Sequence, residues 1–283
     1  MTIGNLTHAY AQASHGSGMD REFVIDDATR TLIRQYGDIC DDLHTDIHEC
    51  LGHGSGKLLP GTDPDSLRSY GSTIEEARAD LFGLYYLADP KLLELGLVPD
   101  KDAYCAQYYT YMMNGLLTQL VRITPGNTIE EAHMRNRALI ARWVLEKATE
   151  EAAQGGRKVP AVELVKKKGK TYVRVNDYAA LRTLFGRLLA EVQRIKSEGD
   201  YAAARALVEN YGVQVDETVH REILQRYEQL HLSPYKGFIN PVYKAERNAD
   251  GEIIDVKLDY TESYDAQMLR YSRDYSTLPL MNY

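Results

Sequence analysis

The chain has 283 residues, 44% of them apolar and 26% charged, with a net charge of −8; a soluble globular protein of this length buries about 75% of its unfolded surface and has room for one large domain. The excess of Asp and Glu over Lys and Arg argues against nucleic acid or an anionic membrane as partner, because affinity for phosphates comes mainly from basic side chains. No window reaches the ~18 to 20 consecutive apolar residues of a spanning helix, the start lacks the basic then apolar layout of a signal peptide, and three scattered cysteines without a CxxC suggest neither disulfides nor a thiolate zinc site, so a cytoplasmic setting is expected.

In chain order, the first 25 residues, rich in Gly, Ser, Ala and Thr, predict a strand or loop leading into something larger. From Asp26 to about His53 apolar residues recur at helical spacing (Ile33, Tyr36, Ile39, Leu43, Ile47) until GHGSGKLLPGTDPD breaks the pattern. Ser72 with Glu75 forms a capping-box signature for a helix that stops before Pro90, and Thr128 with Glu131 a second one for a helix to about Gln154; between them a helix is predicted from about Asp100 to Arg122. Alternation over 159–175 around KKKGK predicts a hairpin with a solvated lysine turn, followed by helices at about 177–197, 200–211 and 216–230. A second hairpin around NADGE and a short helix from about Thr261 to Tyr275 complete the chain. The fold class is therefore mainly α with two β-hairpins: a helical lobe over residues 1–232, including the hairpin at 159–175, and a C-terminal hairpin and helix over 233–283.

The chemistry concentrates at His48-Glu49-Cys50-Leu51-Gly52-His53, two imidazoles and a carboxylate at nearly the HExxH spacing of zinc peptidases. Histidines four apart lie about 40° apart around an α-helix, whereas five apart gives about 140°. A shared metal therefore requires a bulge or a helix end, which Gly52 tolerates. His44 and His48 form a competing i, i+4 pair, but no Glu follows His44, which reads as a bystander. Catalytic zinc commonly takes three protein ligands, so a third should sit on another element. The candidates are Glu75, Glu76 and Asp80, although an acidic pair near a helix start is also what the helix dipole selects.

HECLGHGSGK at 48–57 followed by EEARAD at 75–80, then His133-Met134-Arg135-Asn136-Arg137 and the tail around 235–241, resembles the dipeptidyl peptidase III family of zinc metallopeptidases along essentially the whole chain. The resemblance implies a helical zinc-peptidase catalytic lobe with one Zn2+ per chain held by His48, His53 and Glu76, and Glu49 as general base. It implies that Glu75 and Asp80 orient His53 and His48 respectively, that His133 stabilises the transition state and that Arg137 contacts substrate. His133 and Arg137 are i, i+4, so one helix face can present both. Two departures stand out: Asp80 replaces a commoner Glu, so its bond to His48 is expected to be longer or water-mediated, and Tyr235 stands where an arginine is expected.

Family members are usually more than twice this long, with two lobes across a cleft, so the chain matches only the zinc-bearing part. The lobe that holds the substrate's amino terminus is expected on a longer protein, with 233–283 packing on it. Two readings follow: a zinc peptidase domain that, in the full-length protein, releases N-terminal dipeptides from short peptides; or a non-catalytic zinc-binding interaction or regulatory module, or a fragment inactive without its other lobe. The surplus of Tyr, 21 residues against four Phe, is then expected to include rings left exposed where the other lobe belongs.

Overall fold

A computed structural model describes residues 16–155, 157–232 and 240–275. These fall into two compact units, Met19–His231 and a smaller one that contains the described residues 240–275. The mainly α class with two hairpins is what the structure has. The predictions for residues 1–15, and the Tyr235 departure, lie outside the described residues.

In the larger unit, α1 (Met19–Phe23) leads into α2 (Asp27–Ile47), whose N-cap Asp26 accepts from the Thr29 amide. A π-helical turn over His48–His53 ends α2. A 3-10 turn at Arg68–Tyr70 then runs straight into α3 (Gly71–Leu87), followed by α4 (Pro90–Glu94), α5 (Tyr104–Leu116), a 3-10 turn at Thr118–Arg122, and α6 (Ala132–Ala153). The antiparallel hairpin β1 (Val162–Lys167) and β2 (Lys170–Val175) precedes α7 (Tyr178–Glu198), α8 (Tyr201–Val208), a π turn at Glu209–Val213, and α9 (Glu217–Glu228). Asp177, Asp200 and Asp216 cap α7, α8 and α9 through their side chains.

Neither predicted capping box forms. The α3 N-terminus has no side-chain cap because the preceding 3-10 turn continues into it, and Glu75 is committed elsewhere. At α6 the helix starts after Glu131, which itself accepts from the His133 and Met134 amides.

The core lies around α3. Ile74, Ala77, Leu81 and Leu84 are fully buried and pack with Tyr108 and Met112 of α5, Leu139 and Ile140 of α6, and Leu181, Phe185 and Leu188 of α7. Small residues at Ala77, Ala79 and Gly83 let neighbours approach α3 from several sides. Three α5 tyrosines are buried with their hydroxyls satisfied: Tyr108 donates to Leu84 O at 2.7 Å, Tyr109 to Val173 O at 3.2 Å and Tyr111 to Asp80 Oδ2 at 2.8 Å. Part of the Tyr surplus is thus core material with a polar tip. In the smaller unit, β3 (Val242–Arg247) and β4 (Ile253–Asp259) pair antiparallel, with α10 (Tyr264–Tyr275) following. Rings at this hairpin are exposed, Tyr243 at 70% and Tyr260 at 59%.

The lysine turn is less solvated than its composition suggests. Lys166 pairs with Glu222, Lys170 with Glu22, and Lys167 donates to Ile25 O. Glu222 also accepts from the Thr171 amide and hydroxyl, and buried Arg226 bonds Glu22 and Thr171 O between the rings of Phe23 and Tyr172. This clamp joins α1, the hairpin and α9. Burial pushes the Glu222 carboxyl up, but the bonds from Lys166 and Thr171 outweigh it and hold it at about 2. A carboxylate with a depressed folded pKa stabilises the fold above its unfolded pKa of about 4.5 and loses that contribution as pH falls towards 2. Glu222→Gln is expected to cost about 1–3 kcal/mol at pH 7 and to flatten the acid limb of stability between about pH 5 and 2, measured by urea unfolding across pH.

Candidate metal centre

The π turn resolves the spacing problem in the HECLGH segment. In i→i+5 winding, residues five apart stack as residues four apart do in an α-helix, so His48 and His53 face the same way. Their rings lie 4.7 Å apart, nearly perpendicular. Gly52 serves a different need from the one its flexibility suggests: a Cβ there would meet Ala79 Cα of α3 at 2.6 Å. The turn and α3 can touch only where one of them has no side chain. At Gly54 a Cβ would collide with Cys50 O, so the exit from the turn also requires glycine.

Across that contact α3 presents its carboxylates. Glu76 Oε2 lies 3.3 Å from His48 Nε2 and 3.7 Å from His53 Nε2, and it is buried without a hydrogen-bond partner among the described residues. The opposite nitrogens are taken: His48 Nδ1 bonds Asp80 Oδ1 at 2.7 Å and His53 Nδ1 bonds Glu75 Oε1 at 3.0 Å. Each imidazole therefore turns its Nε2 towards the Glu76 oxygen while its Nδ1 is held by a carboxylate, the outer-sphere pattern that ligating histidines adopt. In a tetrahedral zinc site with bonds of ~2.0–2.1 Å, ligand atoms sit about 3.3 Å apart. His48, His53 and Glu76 fit a metal on both counts, spacing and the unpaired acceptor.

A second cluster, His44, His48 and Asp80, is also close enough to hold an ion. Its 2.7 Å His48–Asp80 separation is a hydrogen bond, shorter than the edge of a tetrahedral ligand set. Asp80 is moreover saturated, with His44 Nε2 at 3.2 Å on Oδ1 and the Tyr111 hydroxyl on Oδ2. His44 is thus no bystander: it helps hold the carboxylate that holds His48, and its own Nδ1 has no partner among the described residues. The Asp80–His48 bond is direct and short despite the missing methylene, contrary to the expectation of a longer or bridged contact.

The electrostatics follow the geometry. Burial raises the Asp80 carboxyl, yet the His44 and His48 bonds keep it well below the usual carboxylate range. Burial lowers the His48 imidazole, but the bond to Asp80 and the neighbouring Glu76 carboxylate prevail and hold it up at about 9. Glu75, raised by burial, is brought down to about 2 by Arg78, Lys196 and His53. The His48 imidazole beside Glu76 lowers that carboxyl against its burial.

Glu49 follows His48 in the turn and is exposed. His133, at the start of α6, has its Nδ1 fixed by Glu131 at 2.7 Å and its Nε2 3.4 Å from Glu76 Oε2, so it faces the same centre. Arg137 stands one turn further along α6, partly buried. Cys50 is exposed and His220 bonds Ile123 O, a structural contact. A pocket of about 840 Å³ opens beside Glu75 and Glu76, lined also by Leu58, Leu67, Ser72 and Lys196. Sequence reasoning missed Tyr111, Arg78, Lys196 and the capping role of Glu131. Only the His44/His48 spacing carried a signal for any of this outer network.

The profile of peptidase family M49 matches residues 1–69 and 61–246. Dipeptidyl peptidase 3 of Mus musculus is 29% identical over 212 residues, 62% of this chain and 28% of that protein; the Homo sapiens protein is 30% identical over 213 residues with the same shares. A solved structure of DPP III from Caldithrix abyssi has a TM-score of 0.57 at 25% identity, over 77% of this chain and 38% of that one. The match thus spans less than a third of the curated relatives' length. No helix among the described residues is long and apolar enough to cross a membrane.

Two outcomes are expected. Gly52→Ala should destabilise the chain by about 1–3 kcal/mol in thermal unfolding and weaken metal binding, since the turn must back away from Ala79. In competition titrations with Zn2+, Glu76→Ala should lose more than about 100-fold in affinity and His44→Ala far less, as befits a group that acts through Asp80.

Proposed function

Because the chain belongs to peptidase family M49, we propose that it is the zinc-binding part of a metallopeptidase that hydrolyses peptide bonds and, within its full-length protein, releases N-terminal dipeptides from short peptides in the cytoplasm. The observation that carries this reading is the orphaned Glu76 Oε2 facing two imidazoles whose other nitrogens are already bonded to carboxylates. The spacing of these atoms and the carboxylate bonds to both Nδ1 atoms support one Zn2+ held by His48, His53 and Glu76.

When bound, a zinc ion polarises the scissile carbonyl and brings water's pKa towards ~7. Glu49 takes a proton from the attacking water and passes it to the leaving amine. Its exposure suits it to that traffic, and a purely structural zinc site, closed by four protein ligands, has no need of such a base. The His133 ring, fixed at Nδ1 by Glu131, offers Nε2 to the oxygen that gains charge. Arg137 contacts the substrate from the same helix, and the neighbouring pocket supplies room for a peptide side chain.

The lobe that would hold the substrate's amino terminus belongs to the longer protein. Tyr243, Ile254 and Leu258, exposed by half or more, are consistent with residues 233–283 packing on that lobe. Dipeptidyl-arylamide hydrolysis by the longest protein containing this chain tests the reading. Glu49→Ala is expected to lose about 10²- to 10⁴-fold in kcat while still binding one zinc. Unchanged activity in that variant overturns the mechanism, and a wild-type protein that binds zinc but cleaves no dipeptidyl-arylamide leaves the non-catalytic module as the function.

A further inference from the structure

The two histidines of the centre are held by carboxylates of different character. Asp80 lies in a buried box with His44 and Tyr111, whereas Glu75 is only partly buried and is held by cations. Arg78, one turn along α3, gives Nε to Glu75 Oε2 at 3.1 Å and a terminal nitrogen to Oε1 at 3.0 Å. The same terminal nitrogen bonds Gly52 O in the π turn, and the other reaches Ser55 Oγ at 3.2 Å and Gln193 Oε1 at 3.5 Å. All five guanidinium donors are engaged, and the side chain is fully buried. Lys196, from the last turn of α7, bonds Glu75 Oε2 at 2.5 Å.

We infer that Arg78 and Lys196 are positioning residues for the proposed metal-binding imidazole of His53. Arg78 fixes the carboxylate and the backbone of the turn that carries the histidine, and Lys196 ties the same carboxylate to α7. Without them Glu75 is free to rotate away, and the His53 ring loses the partner that aims its Nε2 at Glu76. The inference rests on the metal-centre reading above. Lysine cannot replace Arg78, since an ammonium has neither the planar fork nor the five donors. Lys196 acts as a point charge, which arginine can also supply.

The test is Zn2+ affinity of the whole chain, by competition with a chromogenic chelator, beside thermal unfolding of the metal-free protein. Lys196 is only partly buried, so Lys196→Met keeps the fold in case Arg78→Lys does not. Lys196→Met is expected to weaken zinc binding about 10-fold with an unchanged melting temperature, and Lys196→Arg to restore most of it. In a Glu75→Gln background Lys196→Met should have no further effect, because both changes break one chain of contacts. Wild-type affinity in Lys196→Met, or full additivity with Glu75→Gln, overturns the inference. Glu76→Gln separates the two levels: if that variant binds zinc as the wild type does, the metal-centre reading itself fails, whereas its loss beside an unaffected Lys196→Met sinks the positioning role alone.

Discussion

The centre depends on one steric constraint: the π turn and α3 touch at Gly52 and Ala79, closer than any side chain allows. That approach brings carboxylates on one element within reach of imidazoles on another. Each residue of the Glu75–Asp80 stretch takes its place from it. Ala77 and Ala79 stay small and buried, Glu75, Glu76 and Asp80 face the histidines, and Arg78 runs back to the turn's own backbone. Alternating alanines with charged residues on a core helix is unfavourable in isolation. Here each charge has ionisable partners close by, Glu76 facing the imidazoles of His48, His53 and His133.

Placing four ionisable groups over six residues of α3, with Arg78 and Asp80 buried, raises a cost that pairing must offset. The structure meets it with complete hydrogen-bonding sets. Asp80 has three donors on two oxygens, and Arg78 has acceptors for all five donors. Such saturation also fixes orientation, since a carboxylate bonded on both oxygens has no rotamer to spare. Among the described residues of this neighbourhood, the Glu76 oxygen and His44 Nδ1 are the buried side-chain atoms left without a partner, and the Glu76 oxygen is the one that faces the two imidazoles.

Much of this was legible in the residues. Apolar spacing and helix-start residues located α2, α3, α5 and α6 to within a few residues, alternation located the first hairpin and the NADGE turn the second, and the five-residue interval between His48 and His53 predicted a local departure from the α-helix. The capping boxes misled because they are statements about four residues, whereas the ends of α3 and α6 are decided by what precedes them and by where Glu75 and Glu131 are needed. Tyr111, Arg78 and Lys196 left no trace because they meet their partners only through packing between α3, α5 and α7, over separations of up to 121 residues. The role of Gly52 was visible as a requirement for glycine but misassigned: conformational freedom can be inferred from a motif, while close approach depends on the neighbour.

The extra residue in the motif has a consequence for how the site can change. In the wide turn, one added residue is absorbed between the two histidines, and α2 before it keeps its phase with the core. Removing Leu51 would return the histidines to the four-residue interval that an ordinary helix accommodates. It would also shift the glycine out of register with Ala79 and the Gly52 carbonyl away from the guanidinium of Arg78. The five- and six-residue forms of the motif are therefore not neighbours by a single deletion. Passing between them requires the turn, the glycine and the facing stretch of α3 to change together, which makes the inserted residue a marker of the whole contact.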